Sequence, residues 1–153
     1  MLRIRGLPMK YHLTLLCGVV LLTLTACSTT DAGQSSTLDQ ATIEQYARIK
    51  LPASATDIHS YTESGMDRII YVRFTLPASD LEQFLRDSGY SEPLRNNYNP
   101  ISAWPKKRFD WWHADQAQSF RGGEVSEPSF WKNIFVDTSD PQTYIVYLKH
   151  FET

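Results

Sequence analysis

His113 stands between two carboxylates, Asp110 three positions before it and Asp115 two positions after it. An imidazole oriented by a carboxylate is a general base near neutral pH, and the same trio beside a divalent cation would suit metal-assisted hydrolysis. A hydrated loop whose polar side chains bond to one another has the same composition. The spacing matches no established signature: there is no His-x-x-x-His, no Gly-x-Ser-x-Gly and no cofactor motif. An enzyme reading, a small hydrolase or metal-dependent enzyme, therefore requires His113 to converge with Asp110 or Asp115 in a cleft. His59 and His150 lie elsewhere in the chain.

The four tryptophans, Trp104, Trp111, Trp112 and Trp131, fall close together, with Lys106-Lys107-Arg108 and Phe109, Phe120 and Phe130 among them. Flat aromatic faces stack on sugar rings or sit at a lipid interface, while neighbouring cations hold carboxylate or phosphate groups. Trp104, Lys106, Lys107, Arg108, Trp111 and Trp112 are thus the candidate ligand platform, for an envelope glycan, a lipid or a protein partner. The competing reading places the rings in the core of a small domain. If Trp111 and Trp112 lie on a strand, they point to opposite faces and one of them is the surface candidate. Arg121-Gly122-Gly123-Glu124 would make either a backbone anion nest or an ordinary turn. Arg73 has its use as a cross-strand partner if a carboxylate lies opposite it.

The elements that must hold these residues are legible by periodicity. Residues 41–50 place Ile43, Tyr46, Ala47 and Lys50 at helical spacing, with Pro52 as the stop. Residues 57–64 alternate weakly, and a turn containing Gly65 follows. Residues 68–76 form the clearest strand: Ile70, Val72, Phe74 and Leu76 share one core-facing side, while Tyr71, Arg73 and Thr75 share the other, at least partly wet. Ser79 and Glu82 have capping-box spacing before Leu81, Phe84 and Leu85, and Gly89 is placed to close that helix. Residues 89–105, rich in Asn, Pro and Ser, read as a long surface connection. Two further apolar runs, 130–136 and 144–151, are joined by a hairpin signal at Asp140-Pro141, and the second is apolar on both faces, as a central strand requires. The expected fold is α+β and two-layered: a mostly antiparallel sheet of four or five strands, one main helix packed on it, and a short N-terminal helix before them.

At the N-terminus, Arg3, Arg5 and Lys10 precede a fourteen-residue apolar run, 13–26, that ends at Cys27. A charged start, a short apolar stretch and a small residue before a cleavage point are the parts of an export signal, and the run is short for a bilayer span. Leu24-Thr25-Ala26-Cys27 resembles the lipobox of bacterial lipoproteins. The resemblance implies acylation of the Cys27 thiol, cleavage after Ala26 and a membrane held through two or more acyl chains. A transmembrane anchor with an incidental cysteine is the alternative. Ser28, rather than an aspartate, follows the cysteine, which favours the outer membrane if the source has two membranes.

Cleavage leaves 127 of the 153 residues, enough for one domain, and removes three cations but no acid, so the net charge moves from −2 to about −5. Nucleic acid is an unfavourable partner at that charge. Cys17 leaves with the signal and Cys27 carries lipid, so no disulfide or thiolate site is expected in the folded part. The organisation read from the chain is a signal at 1–26, a lipidated cysteine and flexible tether at 27–40, and a single domain at 41–153. The tether, extended, spans at most about 45 Å.

Further likeness follows in the domain. Leu51-Pro52-Ala53-Ser54-Ala55-Thr56-Asp57-Ile58 and Arg73-Phe74-Thr75-Leu76-Pro77-Ala78-Ser79-Asp80-Leu81-Glu82-Gln83-Phe84-Leu85, then Trp111-Trp112, Phe135-Val136-Asp137-Thr138-Ser139-Asp140-Pro141 and Val146-Tyr147-Leu148, resemble small uncharacterised bacterial lipoproteins. That resemblance implies an envelope location and carries no catalytic or binding residue with it.

Overall fold

Ile70, Val72, Phe74 and Leu76 are buried almost completely, as the alternation in this segment requires, and they form one face of β2 (Arg68–Pro77). The computed structural model describes residues 38–101 and 109–153, which fall in one compact unit, Gly33–Thr153. The signal, Ala26, Cys27 and the platform candidates Trp104, Lys106, Lys107 and Arg108 lie outside the described residues. In chain order the elements are α1 (Gln40–Ala47), β1 (Thr56–Ser64), β2, α2 (Leu81–Asp87), β3 (Arg95–Asn96), β4 (Phe120–Glu127), β5 (Phe130–Asp137) and β6 (Thr143–Glu152).

The fold is α+β, a six-stranded antiparallel sheet with two short helices. Strand order is β1-β2-β6-β5-β4-β3. β6 runs beside β2 from Thr143 opposite Pro77 to Glu152 opposite Arg68, and beside β5 on its other edge. Its central place explains why both its faces are apolar. The expected sheet of four or five strands is therefore too small: β4 runs through the Arg121-Gly122-Gly123-Glu124 segment, and β3 lies within the expected surface connection at 89–105. Glycines normally weaken a strand, but here they permit close approach. A Cβ on Gly122 would lie 2.2 Å from the Tyr98 carbonyl oxygen and 2.7 Å from Pro100 Cδ, so the segment before Ile101 lies directly on this strand. Arg121-Gly122-Gly123-Glu124 is neither turn nor nest.

Local signals set the helix ends, with two differences from expectation. The Asp39 carboxylate accepts from the Thr42 amide at 2.9 Å and caps α1, while Leu38 packs against the core. Leu38 to Gln40, read as the end of a tether, are thus part of the folded unit. The helix stops at Arg48, in the left-handed region with φ 51°, before Pro52 is reached. At α2 the capping box does not form. A 3₁₀ turn, Ala78–Asp80, leads into the helix, and Ser79 Oγ donates to Asp80 Oδ1 at 2.8 Å instead of accepting from a backbone N–H of the helix. Gly89 does close the helix, with φ 75°, and the Tyr90 amide donates to the Leu85 carbonyl at 2.9 Å.

Both helices cover the same face of the sheet, where Ile43, Ala47, Leu81, Phe84 and Leu85 meet Phe74, Ile134, Val146 and Leu148. One buried cation joins them. Lys132 Nζ donates to the carbonyls of Arg48 and Ser88, the C-terminal cap residues of α1 and α2. Burial, and then the nearby Arg48, lowers this ammonium to about 8. On the opposite face, which the alternation of β2 left at least partly wet, Tyr71, Phe135 and Tyr147 are buried beneath Ile101, Phe109, Trp111, Trp112 and Ala114. The sheet has a core on each side.

Candidate functional site

Phe109, Trp111 and Trp112 belong to a turn, not a strand: the Trp112 amide donates to the Phe109 carbonyl at 3.3 Å, and a 3₁₀ turn, Ala114–Gln116, follows. Strand alternation does not govern a turn, so both tryptophans face the sheet, Trp111 9% and Trp112 3% exposed. Trp111 stacks on Phe109 with centroids 4.8 Å apart and on His59 at 5.5 Å, and Trp112 sits edge-on to Tyr71 and Tyr147. The expectation that one of the pair is a surface ring is corrected. Their ring faces are occupied by protein, leaving no flat surface for a sugar.

His113, Asp110 and Asp115 are exposed around this turn. Among the described residues the ion pairs do not include His113 or Asp110, and Asp115 has an interaction of its own. The His113 backbone is structural, bonding to the Tyr147 hydroxyl and accepting from the Gln116 amide at 2.9 Å.

A polar cluster that periodicity did not reveal borders the aromatic roof. A register shift between Thr56 and His59 puts a bulge in β1, and Asp57 sits there with φ 51°, a left-handed value that aspartate tolerates better than most residues. The bulge turns the Asp57 carboxylate toward β2. Its Oδ2 accepts from Arg73 Nη1, and its Oδ1 pairs with His59 Nε2 at 2.8 Å. Arg73 also bonds to the Tyr147 hydroxyl. The Arg73 guanidinium, then His59, hold the Asp57 carboxyl below the usual carboxylate range. Burial opposes the charge on Arg73, and Asp57 and Tyr147 outweigh it. Arg73 is therefore the cross-strand partner it could have been, with a carboxylate that only the bulge brings within reach.

No family model, curated protein or solved structure matches this chain. Its surface must be read on its own terms.

At the start of β4 an open groove of about 570 Å³ is lined by Asn96, Asn97, Arg121, Thr138 and Tyr144, with Phe120 at its wall. Among the described residues no carboxylate forms an ion pair with Arg121, whose guanidinium lies 5.9 Å from the Tyr144 ring. Amide, hydroxyl and guanidinium donors beside one phenol ring suit a hydroxyl-rich or anionic ligand. A second groove, about 340 Å³, lies near Arg95, but Glu124 holds that guanidinium at 3.2 Å and Tyr98 stacks on it. Among the described residues the exposed tryptophan is Trp131, which lies flat against Phe151 with centroids 4.4 Å apart. It was grouped with the cluster by position but stands on β5, away from the roof.

Proposed function

We propose that the chain is a lipid-anchored protein of the bacterial cell envelope whose α+β domain is a binding module, presenting the Arg121 groove to an envelope glycan. The observation that carries the anchor is Leu24-Thr25-Ala26-Cys27 at the end of a basic and then apolar leader. The groove supports the binding role because it combines Arg121 and Tyr144 with polar donors in an open cleft. Ser28 after the cysteine supports the outer membrane as destination in a two-membrane cell. Membership of the small uncharacterised lipoproteins that the domain motifs resemble is part of the same proposal.

Mass spectrometry of the mature N-terminus and membrane fractionation test the anchor. Acylated Cys27 at the N-terminus, with loss from membranes in Cys27→Ala, is expected. Retention of an unprocessed Cys27→Ala chain in membranes would instead establish a transmembrane segment. The groove is tested by titrating soluble peptidoglycan fragments and following amide shifts of residues 96, 97, 121 and 138. Saturable shifts that Arg121→Ala abolishes are expected, and their absence would remove the groove from consideration.

One observation favours a second reading, an inhibitor-like role in protein binding. β1 ends the sheet, and its outer edge over nine residues pairs with no strand among the described residues. A partner strand can add there.

A further inference from the structure

We propose that the sheet end bearing Met66 and Trp131 seats on the bilayer carrying the Cys27 lipid, and so aims the Arg121 groove away from the membrane. This rests on the lipid-anchor reading above. Among the described residues the exposed large apolar side chains are Met66, fully exposed, and Trp131, 44% exposed. The fold brings both to one end. Met66 is in the turn joining β1 to β2, and Trp131 is the second residue of β5, just after the turn from β4. Ile69 pairs with Phe151, and Phe151 pairs with Trp131, so these three form a row across β2, β6 and β5 about 10 Å wide. Met66 projects beyond that row. Indole is favoured at the headgroup level, where its apolar body and polar N–H meet different surroundings.

Charge does not drive this contact. Arg48 and Arg68, the arginines at this end, both face Glu152, at 2.6 Å and 3.4 Å. The contact is therefore apolar, small and weak alone, and becomes effective through tethering, which converts docking into an intramolecular step. The tether is long enough. Residues 28–37 reach at most about 36 Å when extended, and α1 is about 12 Å long with its C-terminal cap, Arg48, paired to Glu152 at the docking end.

The orientation of the groove follows from β6. Tyr144 lines the groove and Phe151 belongs to the docking row, seven residues apart on one strand. At about 3.4 Å per residue the groove opens roughly 24 Å from the docking row, at the opposite end of the sheet.

The test uses the mature lipoprotein, purified with its acyl chains and reconstituted into phosphatidylethanolamine/phosphatidylglycerol vesicles. Met66→Cys supplies one reactive thiol for an environment-sensitive fluorophore, since Cys17 leaves with the signal and Cys27 is acylated. Thr138→Cys places the same label at the groove end. Flotation reads the anchor and the fluorophore reads the docking. The label at position 66 is expected to shift to the blue and to be quenched by brominated lipid, with no change at high salt, while the label at 138 stays unquenched. Adding Trp131→Ser should reduce the shift at 66. If the protein floats but both labels report water equally, the docking is overturned and the anchor stands. If it does not float, the anchor reading fails and the docking falls with it.

Discussion

Lys132 Nζ on β5 donates to the carbonyl of Arg48, 84 residues earlier in the chain, at 3.0 Å. The same ammonium donates to the Ser88 carbonyl. Those carbonyls end α1 and α2, where the helix dipoles favour a cation and the last C=O groups need donors. Lys132→Met keeps most of the side-chain volume but strands both carbonyls. A loss of about 2 kcal/mol is expected, measured by urea unfolding at pH 7. A variant as stable as the parent would show that water replaces the ammonium at no cost.

His150 gives the domain an acid-sensitive term. It is 1% exposed, neither ring nitrogen has a hydrogen-bond partner among the described residues, and burial lowers its pKa from 6.5 to about 4. The folded value lies below the unfolded one, so as pH falls the unfolded chain takes up the proton first. Stability is thus full above pH 6.5 and is lost between pH 6.5 and 4, by about 3 kcal/mol. Unfolding free energies of the parent and of His150→Leu, compared at pH 7 and pH 4.5, should show the smaller acid loss in the variant. Parallel pH profiles would place the acid sensitivity elsewhere.

Adjacent glycines on β4 should respond very differently to a methyl group. At Gly122 the new Cβ meets backbone, the Tyr98 carbonyl oxygen at 2.2 Å, whereas at Gly123 it meets the end of the Leu94 side chain at 2.7 Å. A leucine methyl can rotate away and a carbonyl held in a packed segment cannot. Gly122→Ala is expected to cost about 3 kcal/mol and Gly123→Ala less than half of that. Equal melting temperatures for the two variants would contradict the close packing of the Tyr98 segment on β4.

The Asp57–Arg73 pair is lopsided, because the Arg73 side chain is 12% exposed and that of Asp57 is 54% exposed. Removing the carboxylate leaves a largely buried guanidinium without its counter-charge, whereas removing the guanidinium leaves a carboxylate already in water. Asp57→Ala should therefore cost about 2 kcal/mol and Arg73→Met about 1 kcal/mol, with the double variant showing positive coupling in a thermodynamic cycle. Arg73 and then His59 depress the Asp57 carboxyl, so this contribution is present above the ordinary carboxylate range and fades as pH falls through it. Additive effects would mean that the pair contributes nothing beyond its separate contacts.

Which residues fill the core beneath the helices was readable from Ile70, Val72, Phe74 and Leu76, since period-two burial is a local property of a strand. The two-faced apolar run of β6 correctly implied a central strand. What misled was local evidence without its partner. Gly122-Gly123 has the composition of a turn until the Tyr98 segment is laid on it, and Trp111-Trp112 suggests an inside and an outside ring only while it is taken for a strand. The Ser79 and Glu82 box was a sound spacing that lost to a 3₁₀ turn held by Ser54 and Asp80, which are 26 residues apart.

By itself the chain determined the alternation of β2, the Gly89 helix stop, the β5–β6 hairpin and the α+β class, all set by backbone preferences and side-chain periodicity over a few residues. Only the tertiary structure decided that the sheet has six strands with a core on both faces, that Asp57 meets Arg73, and that Trp131 rather than Trp111 or Trp112 is exposed. Each of those depends on surfaces brought together from distant parts of the chain, where close approach and burial choose among local options of similar energy.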